Sequence, residues 1–510
     1  MIISLSVLVI TIIVSGTYAL YKTQLSKNIG VNTTTHGLAY YINYVKGTDI
    51  TAATLNPSTS YEGGASSDIE FWKKDDSYDI YGKIELTVNT IGTNLSNSPA
   101  LKYAVVNNGN VLKEGSLKGT TSGSKVTILK NLYLEQTKQI YTVYVWLDNS
   151  EELGNISNES LSISVDCTAS LQKEPTAADT IISLYTSAAK VTATNNSITY
   201  NTAPSVSLMN DRLGGTTTDL DGGNIRYYGA NPNNYIYFNC SDYSNQTSST
   251  CETWRIIGVF DGKLKLIKGS QIGTYSWDNK NISTGAEDDR GKNDWTTARL
   301  MKLLNPSNYY KVDSNDNNLG QSLYYNSASG KCYSGQNNAT VDCDFTSTGI
   351  KNAETRNMIA ETTYNLGGWN SNSVYSNQIY EYERGTTVYS GRPTTWKGKI
   401  ALAYPSDYGY AADLNQCKDK TLYDYDNRTC TSNNWMKAII TNNGSNTGWL
   451  LTPYSGNSYH AWYVYSDGLV YSYNRAFNAR GAVPVLSLSS ELGIESGGDG
   501  SSSKPYKLSA

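Results

Sequence analysis

Histidine is almost missing from this chain: its 510 residues hold two, His36 and His460. A Ser-His-Asp hydrolase would have to be built on one of them, and neither is accompanied by a Gly-x-Ser-x-Gly elbow or another nucleophile context. The same scarcity counts against structural zinc, whose sites set Cys a few residues apart with His partners; both histidines here lie far from any cysteine pair. Positive charge is also short. The net charge is −4, charged residues make up 17%, and no Lys/Arg run occurs, so there is no basic field to neutralise phosphates or anionic lipid, and nucleic acid is not expected as a partner. The sequence shows no repeat array, no second membrane span and no sortase-type tail.

What is abundant is uncharged polarity. Asn, Ser, Thr, Gly and 42 Tyr dominate, a composition that suits β-rich extracellular surfaces. The length exceeds one ordinary core, and two folded domains are expected. Residues 2–14 form an apolar run of signal-peptide length, with Thr17-Tyr18-Ala19 offering cleavage after Ala19, so residues 1–19 read as a signal peptide. No Lys or Arg precedes the run, whereas Lys22 and Lys27 follow it; an uncleaved membrane anchor is the alternative, and the only membrane contact expected. Seven cysteines fall at 167, 240, 251, 332, 343, 417 and 430. The last six group as close neighbours, and the simplest reading is three local disulfides, Cys240 with Cys251, Cys332 with Cys343 and Cys417 with Cys430. Each would restrain the unfolded chain by roughly 2 to 3 kcal/mol. Cys167 is left as a buried or free thiol.

From residue 28 to 169, short strand-like runs alternate with turns: residues 84–88, 101–106, 126–129, 140–146 and 161–165. This spacing reads as an immunoglobulin-like β-sandwich, with Asn107-Asn108-Gly109-Asn110 as a hairpin signal. Residues 170–223 read as a connector with one helix over 177–190. Residues 224–510 open with strands at 224–238, 253–260 and 264–267. A helix follows in which Asp294 is the expected N-cap and Asn305-Pro306 the stop. A second helix is expected over 353–366, then a strand over 400–403. The fold class is therefore β-rich, with a sandwich followed by an α+β domain.

The last 70 residues are the most informative. Gly448-Trp449-Leu450-Leu451-Thr452-Pro453 precedes two aromatic runs, 462–465 and 469–473, around Ser466-Asp467-Gly468, where Asp-Gly predicts a tight hairpin turn. Residues 481–488 follow as a third, mostly apolar strand. Together with Gly481-Ala482-Val483-Pro484, Gly498-Asp499-Gly500 and Pro505-Tyr506, these motifs resemble the uncharacterised terminal domain of secreted low-GC Gram-positive proteins. That domain is itself similar to the C-type lectin-like fold of the formylglycine-generating, sulfatase-modifying superfamily. The resemblance covers roughly residues 224–510 and implies a lectin-like architecture whose loops carry a ligand surface. The superfamily's oxidase chemistry uses a cysteine pair near the C-terminus, yet no Cys follows Cys430 here. At the other end, Ser15-Gly16-Thr17-Tyr18-Ala19-Leu20-Tyr21 resembles the signal of TasA-type matrix proteins.

The hairpin and its flanks gather Tyr454, Tyr459, His460, Trp462, Tyr473, Asn474, Arg475, Asn478 and Arg480 as candidate ligand-binding residues. Aromatic faces stack on sugar rings or apolar patches, and Asn and Arg supply directional hydrogen bonds. One face of a hairpin must pack, so either Trp462 and Val464 or Tyr463 and Tyr465 belong to the core. Calcium loops were weighed on the same terms. Asp313-Ser314-Asn315-Asp316-Asn317 begins like an EF-hand, but Asn318 stands where Gly is needed and Tyr324 where Glu is needed. Glu287-Asp288-Asp289 with Asp294, and Asp219-Leu220-Asp221-Gly222, read as solvated turns; no metal or cofactor is expected. Carboxylate pairs for glycoside hydrolysis can be drawn from Glu354 and Glu361 or from Glu381 and Glu383 beside Arg384, but helical surface charge explains them more cheaply. The expectation is a non-catalytic, secreted or cell-surface bacterial recognition protein binding an extracellular glycan or protein. A structural matrix or filament subunit is the alternative, and an extracellular hydrolase a weaker one.

Overall fold

The computed structural model describes residues 22–25, 38–52, 55–151, 153, 155–156, 158–212, 223–243, 245–279, 290–312, 319–335, 339–426, 428–441 and 446–509. The expected signal peptide, the EF-hand-like segment 313–318 and the acidic segments 219–222 and 287–289 lie outside these residues. The chain is β-rich and divides into two compact units, Met1–Glu174 and Pro175–Ala510.

In the first unit, strict alternation of apolar and polar residues gives each long strand one buried face. Ala65–Lys73 and Tyr81–Ile91 bury every second side chain, Ile69, Phe71, Ile84, Leu86 and Val88 among them. One antiparallel sheet runs in the order Ile42–Val45, Ala65–Lys73, Ile140–Asp148, Leu101–Asn107, Asn110–Ser116. The other runs Lys22–Leu25, Leu161–Ser170, Tyr81–Ile91, Lys125–Tyr133. Val105, Val143 and Val145 of the first sheet and Ile163, Val165 and Cys167 of the second belong to one apolar cluster, so the sheets share a core. Each such aliphatic contributes about 1.5 to 3 kcal/mol on burial. The hairpin at Asn107-Asn108-Gly109-Asn110 forms as the sequence suggests, with Asn108 and Gly109 both at positive φ (49° and 76°), as a two-residue turn of this kind demands.

The second unit is built on a nine-stranded and a five-stranded sheet. Its first elements come from within residues 170–223, read from sequence as a connector. The helix there, Ala177–Ser187, is three residues shorter at its end than expected and starts at a Thr176–Asp179 capping box. Val191–Asn195, Ile198–Ala203 and Leu208–Asn210 then form one end of the nine-stranded sheet, which continues through Ile225–Tyr227, Glu252–Phe260, Lys263–Lys268, Val485–Ser487 and Ile400–Ala401. Helix residues Ile181 and Tyr185 pack in one cluster with Trp254, Ile256 and Leu266 of that sheet.

Three expected elements change in the second unit. The helix Arg299–Leu304 carries the expected leucines, but Asp294 does not cap it; its carboxylate instead accepts from Thr296 N (3.0 Å) and Thr296 Oγ1 (2.6 Å). The helix expected over 353–366 ends at Met358, because Thr362–Asn365 pairs as a strand with Thr395–Gly398, and β-branched Thr362 and Thr363 with Tyr364 favour that pleat. Residues 481–488 are two strands rather than one. Gly481 closes Ala479–Gly481 in the five-stranded sheet, and Val485–Ser487 enters the nine-stranded one. Pro484 lies at the crossing, where it has no N–H for a ladder but its carbonyl accepts from Lys268 N at 2.9 Å. The three disulfides are formed as paired from sequence, and Cys167 is a free, fully buried thiol. No helix among the described residues is long and apolar enough to cross a membrane.

Inside this unit Arg226, 1% exposed, is held between Asp211 and Asp407, the latter at 2.9 Å, while Lys265 also pairs with Asp407. Burial alone would push the Asp407 carboxyl up; Lys265 and Arg226 outweigh it and hold the group below the usual carboxylate range.

Candidate functional site

The five-stranded sheet runs Thr274–Ser276, Ala479–Gly481, Gly448–Pro453, His460–Val464, Val470–Arg475, and ends in the hairpin that closes the fold. The hairpin loop is a three-residue one, Ser466-Asp467-Gly468. Gly468 N donates to Tyr465 O, Tyr465 N to Leu469 O, and Leu469 N to the Asp467 carboxylate at 3.0 Å. The two-residue turn expected from Asp-Gly needs two positive φ angles, and only Gly468 supplies one (99°). Its carbonyl accepts from Tyr408 OH at 3.0 Å, and a Cβ there would meet Thr431 Cγ2 at 2.6 Å, so the tip is tied to the body of the unit.

The two strands sort their side chains by face. Ala461, Trp462, Val464, Val470 and Ser472 are buried, whereas Tyr471 is half-buried and Tyr473 and Arg475 are exposed. A register shift between Ala461 and Tyr463 lets the inward Trp462 sit between them, and Tyr463 then pairs with Tyr471 and His460 with Arg475. The result is a continuous aromatic strip. Tyr465 meets Tyr471 at 6.1 Å between ring centroids, Tyr471 meets Tyr473 at 5.8 Å, Tyr473 meets His460 at 6.2 Å, and His460 meets Tyr459 at 4.5 Å and Tyr454 at 5.9 Å. Tyr465 and Tyr473 are 42% and 52% exposed, and Tyr423 on a neighbouring turn, close enough to Tyr471 to act on its hydroxyl, is 48% exposed.

One buried residue fixes the loop that carries Tyr454, Tyr459 and His460. Asn293, 1% exposed, donates its amide to the carbonyls of Tyr454 (2.9 Å), Asn457 (2.8 Å) and His460 (2.9 Å) and accepts from Arg392 Nε at 3.1 Å. Arg392 also donates to Ser458 O at 3.0 Å. Asn457 Nδ2 lies 2.9 Å from His460 Nδ1. Partial burial, then the positive charges of Arg475 and Arg290, lower the His460 pKa to about 4, so the ring is neutral at pH 7. The Arg290 guanidinium stacks over Tyr459 at 4.2 Å and that of Arg480 over Tyr463 at 5.2 Å.

Of the nine residues singled out from sequence, Tyr473 and Arg475 are exposed, and Tyr454, Tyr459, His460, Asn478 and Arg480 are half-buried. Trp462 is fully buried in the apolar core, and Asn474 is 8% exposed and accepts from Asn478 Nδ2 at 2.6 Å. Those two side chains are packing and support. Of the packing alternatives, Trp462 and Val464 point inward and Tyr465 outward, while Tyr463 is nearly covered by its stack with Tyr471 (5.4 Å). Tyr465, Tyr471, Tyr423, Arg290, Asn293 and Arg392 were not singled out. The alternation through residues 470–475 could have signalled Tyr471, but nothing local marks Asn293 or Arg392, which act across more than 60 residues of sequence.

Of the four carboxylates considered for hydrolysis, two are engaged elsewhere, while Glu354 and Glu381 lie at the surface. Glu361 pairs with Lys397 and accepts from Tyr309 OH at 3.0 Å. Glu383 is wholly buried, accepts from Ser406 N at 2.9 Å and from its hydroxyl, and is pushed by burial up to about 7. Among the described residues no three His, Cys, Asp or Glu side chains converge to hold an ion.

No family model matches the chain, and no curated protein does. Solved structures give only distant likenesses. The receptor binding domain of botulinum neurotoxin mosaic serotype C/D shares 12% identity, covering 52% of this chain and 75% of that one. An HCR/D point mutant shares 13%, covering 49% and 74%. Both have a TM-score of 0.15, too low to carry an argument.

Proposed function

We propose that this is a secreted or cell-surface bacterial recognition protein, non-catalytic, whose closing hairpin binds an extracellular glycan. In this reading the first unit is an immunoglobulin-like spacer and the second a C-type lectin-like domain presenting its loops. One observation carries it: the uninterrupted chain of partly exposed rings from Tyr465 through Tyr471 and Tyr473 to His460 and Tyr459. A solvated sheet face has no need of contiguous aromatic area, and large exposed apolar patches mark interaction sites. The three disulfides support an oxidising compartment. The test is a glycan-array and bacterial-surface screen with the full chain beside a folded Tyr471→Ala/Tyr473→Ala variant. Specific binding weakened at least about tenfold in the variant is expected. No binding by the folded protein, or binding untouched by the substitutions, overturns the reading.

A second reading, a matrix or filament subunit, has its own observation in the first unit. Asn110–Ser116 is an edge strand of its sheet, with no side chain fully buried and Val111 and Leu112 42% and 40% exposed. An antiparallel pairing of two copies about a two-fold axis between Lys113 and Glu114 would set each lysine opposite the partner's glutamate. Sedimentation at micromolar concentration tests it. Lys113→Glu should abolish assembly and Lys113→Glu/Glu114→Lys should restore it; a monomer throughout removes this reading.

A further inference from the structure

The aromatic strip has a chemical direction. Its outer end, at the hairpin tip, carries Asp467; its inner end, where His460 pairs with Arg475, carries no carboxylate paired with Arg475 among the described residues. Arg475 itself is exposed. Arg480, stacked on Tyr463, has a buried Nε that meets no hydrogen-bond acceptor. Arg290 lies over Tyr459, and the charges acting on His460 are those of Arg475 and Arg290. Several basic side chains elsewhere are taken up internally: Arg226 and Lys265 pair with Asp407, Lys268 with Glu252, Lys102 with Asp148. An exposed guanidinium with no carboxylate partner among the described residues, beside an open ring face, makes a site for an anion that is itself attached to a ring.

We propose that the Arg475 end of the strip is a subsite for a ring carboxylate, and that the glycan recognised is an acidic one built of uronic-acid-type sugars. The proposal rests on the recognition reading above and adds the ligand class to it. The pyranose lies on Tyr473, its carboxylate is taken by Arg475, and neighbouring sugars continue toward Tyr471 and Tyr465. A sugar fits better than a peptide carboxylate for two reasons. A peptide would draw specificity from side-chain pockets, and the cavity of about 10 Å³ at Tyr275, Arg299 and Tyr333 lies off the strip. A peptide adding to the edge of Val470–Arg475 would also find that edge occupied at its start, where Asn372 donates to Val470 O at 2.6 Å.

Polygalacturonate and its fully methyl-esterified form test this directly, because esterification removes the charge and keeps the ring. The full chain should bind polygalacturonate about tenfold more tightly than the ester, with a preference that shrinks as salt rises. Arg475→Gln should erase the preference, and Tyr473→Ala should weaken both. Equal binding of the two polymers by the full chain overturns the acidic-sugar assignment while leaving glycan recognition standing. So does tight binding of a neutral array glycan, lost in Tyr473→Ala, with no binding of polygalacturonate. An acidic peptide bound through Arg475 in place of either polymer also overturns it, by changing the ligand class. Failure of every array probe in the folded protein overturns this proposal and the recognition reading together.

Discussion

Two outward sheet faces in this protein are made of the same element, an antiparallel strand with alternating side chains, and they are finished differently. On the strand Tyr81–Ile91 of the first unit, the outward side chains include Lys83, Glu85 and Thr87. Lys83 pairs with Glu85 at 2.9 Å, and Thr87 donates to Asp166, which Lys46 also meets at 3.1 Å. On the strand Val470–Arg475 of the second unit, the outward side chains are Tyr471, Tyr473 and Arg475: two rings in contact and a guanidinium with no carboxylate partner among the described residues. On the first face these charges are matched by partners of their own, and its one ring contact, Tyr81 against Tyr133 at 5.8 Å, lies at the start of the strand. The second leaves ring faces and positive charge unspent, although Asp and Glu are no rarer in the chain than Lys and Arg. The contrast separates a face that is merely wet from one that is kept open.

The sharpest way to break the contrast is to disturb charges that look alike but are buried. Asp407 accepts from Arg226, Lys265 and Tyr404 N in the interior, so Asp407→Ala strands Lys265, leaves Arg226 to Asp211 alone, and should cost about 3 to 5 kcal/mol, read as a large fall in the thermal midpoint. If the midpoint hardly moves, the interior is wetter than its burial indicates. Trp462→Ala is expected in the same range, about 3 to 5 kcal/mol, because the indole is fully enclosed. A loss under about 1 kcal/mol would return Trp462 to the surface, the alternative to packing that the sequence left open.

That residue shows how far sequence alone reaches. The strands of the first unit were legible because a period of two is a local signal and each strand buries one face. The disulfides were legible because their partners are neighbours in the chain. The hairpin itself was legible from Asp467-Gly468 and its flanking aromatics. Which face of it packs was not, since Trp462 and Tyr463 stand on opposite faces of its first strand, and the shift between Ala461 and Tyr463 resets the alternation in a way no composition announces. Nor was the split of residues 481–488 between two sheets, which is settled by what lies beside each half. The organiser Asn293 is one asparagine among many, distinguished only by three carbonyls that arrive from residues 454–460.

A smaller effect probes the charge at the foot of the strip. His460 titrates near 4 instead of near 6.5, so between these values the unfolded chain binds a proton that the folded one refuses. Its contribution to stability is therefore complete above about pH 6.5 and is lost as the pH falls toward 4. Ring titration by NMR should show the low value, and Arg475→Gln should move it upward by removing one of the two cations. An unchanged value in that variant would mean that burial, the larger cause, and Arg290 account for the shift, and that Arg475 does not charge this end of the strip.

The smallest expected effect separates the two faces most cleanly. Tyr473→Ala and Glu85→Ala both alter outward side chains, and each should change stability by no more than about 0.5 to 1 kcal/mol. A half-exposed ring contributes little to the core, and a partly exposed pair such as Lys83–Glu85 is worth little to the fold. Denaturation curves for the two variants should therefore nearly coincide with the parent. Binding should not: Tyr473→Ala lowers the affinity for the glycan and Glu85→Ala leaves it alone. If Tyr473→Ala instead costs stability on the scale of Trp462→Ala, the ring is held by contacts its exposure conceals, and the strip is a packed surface like the other. A loss of binding without a loss of stability is what an open face requires, because a side chain kept for a ligand is one the fold can do without.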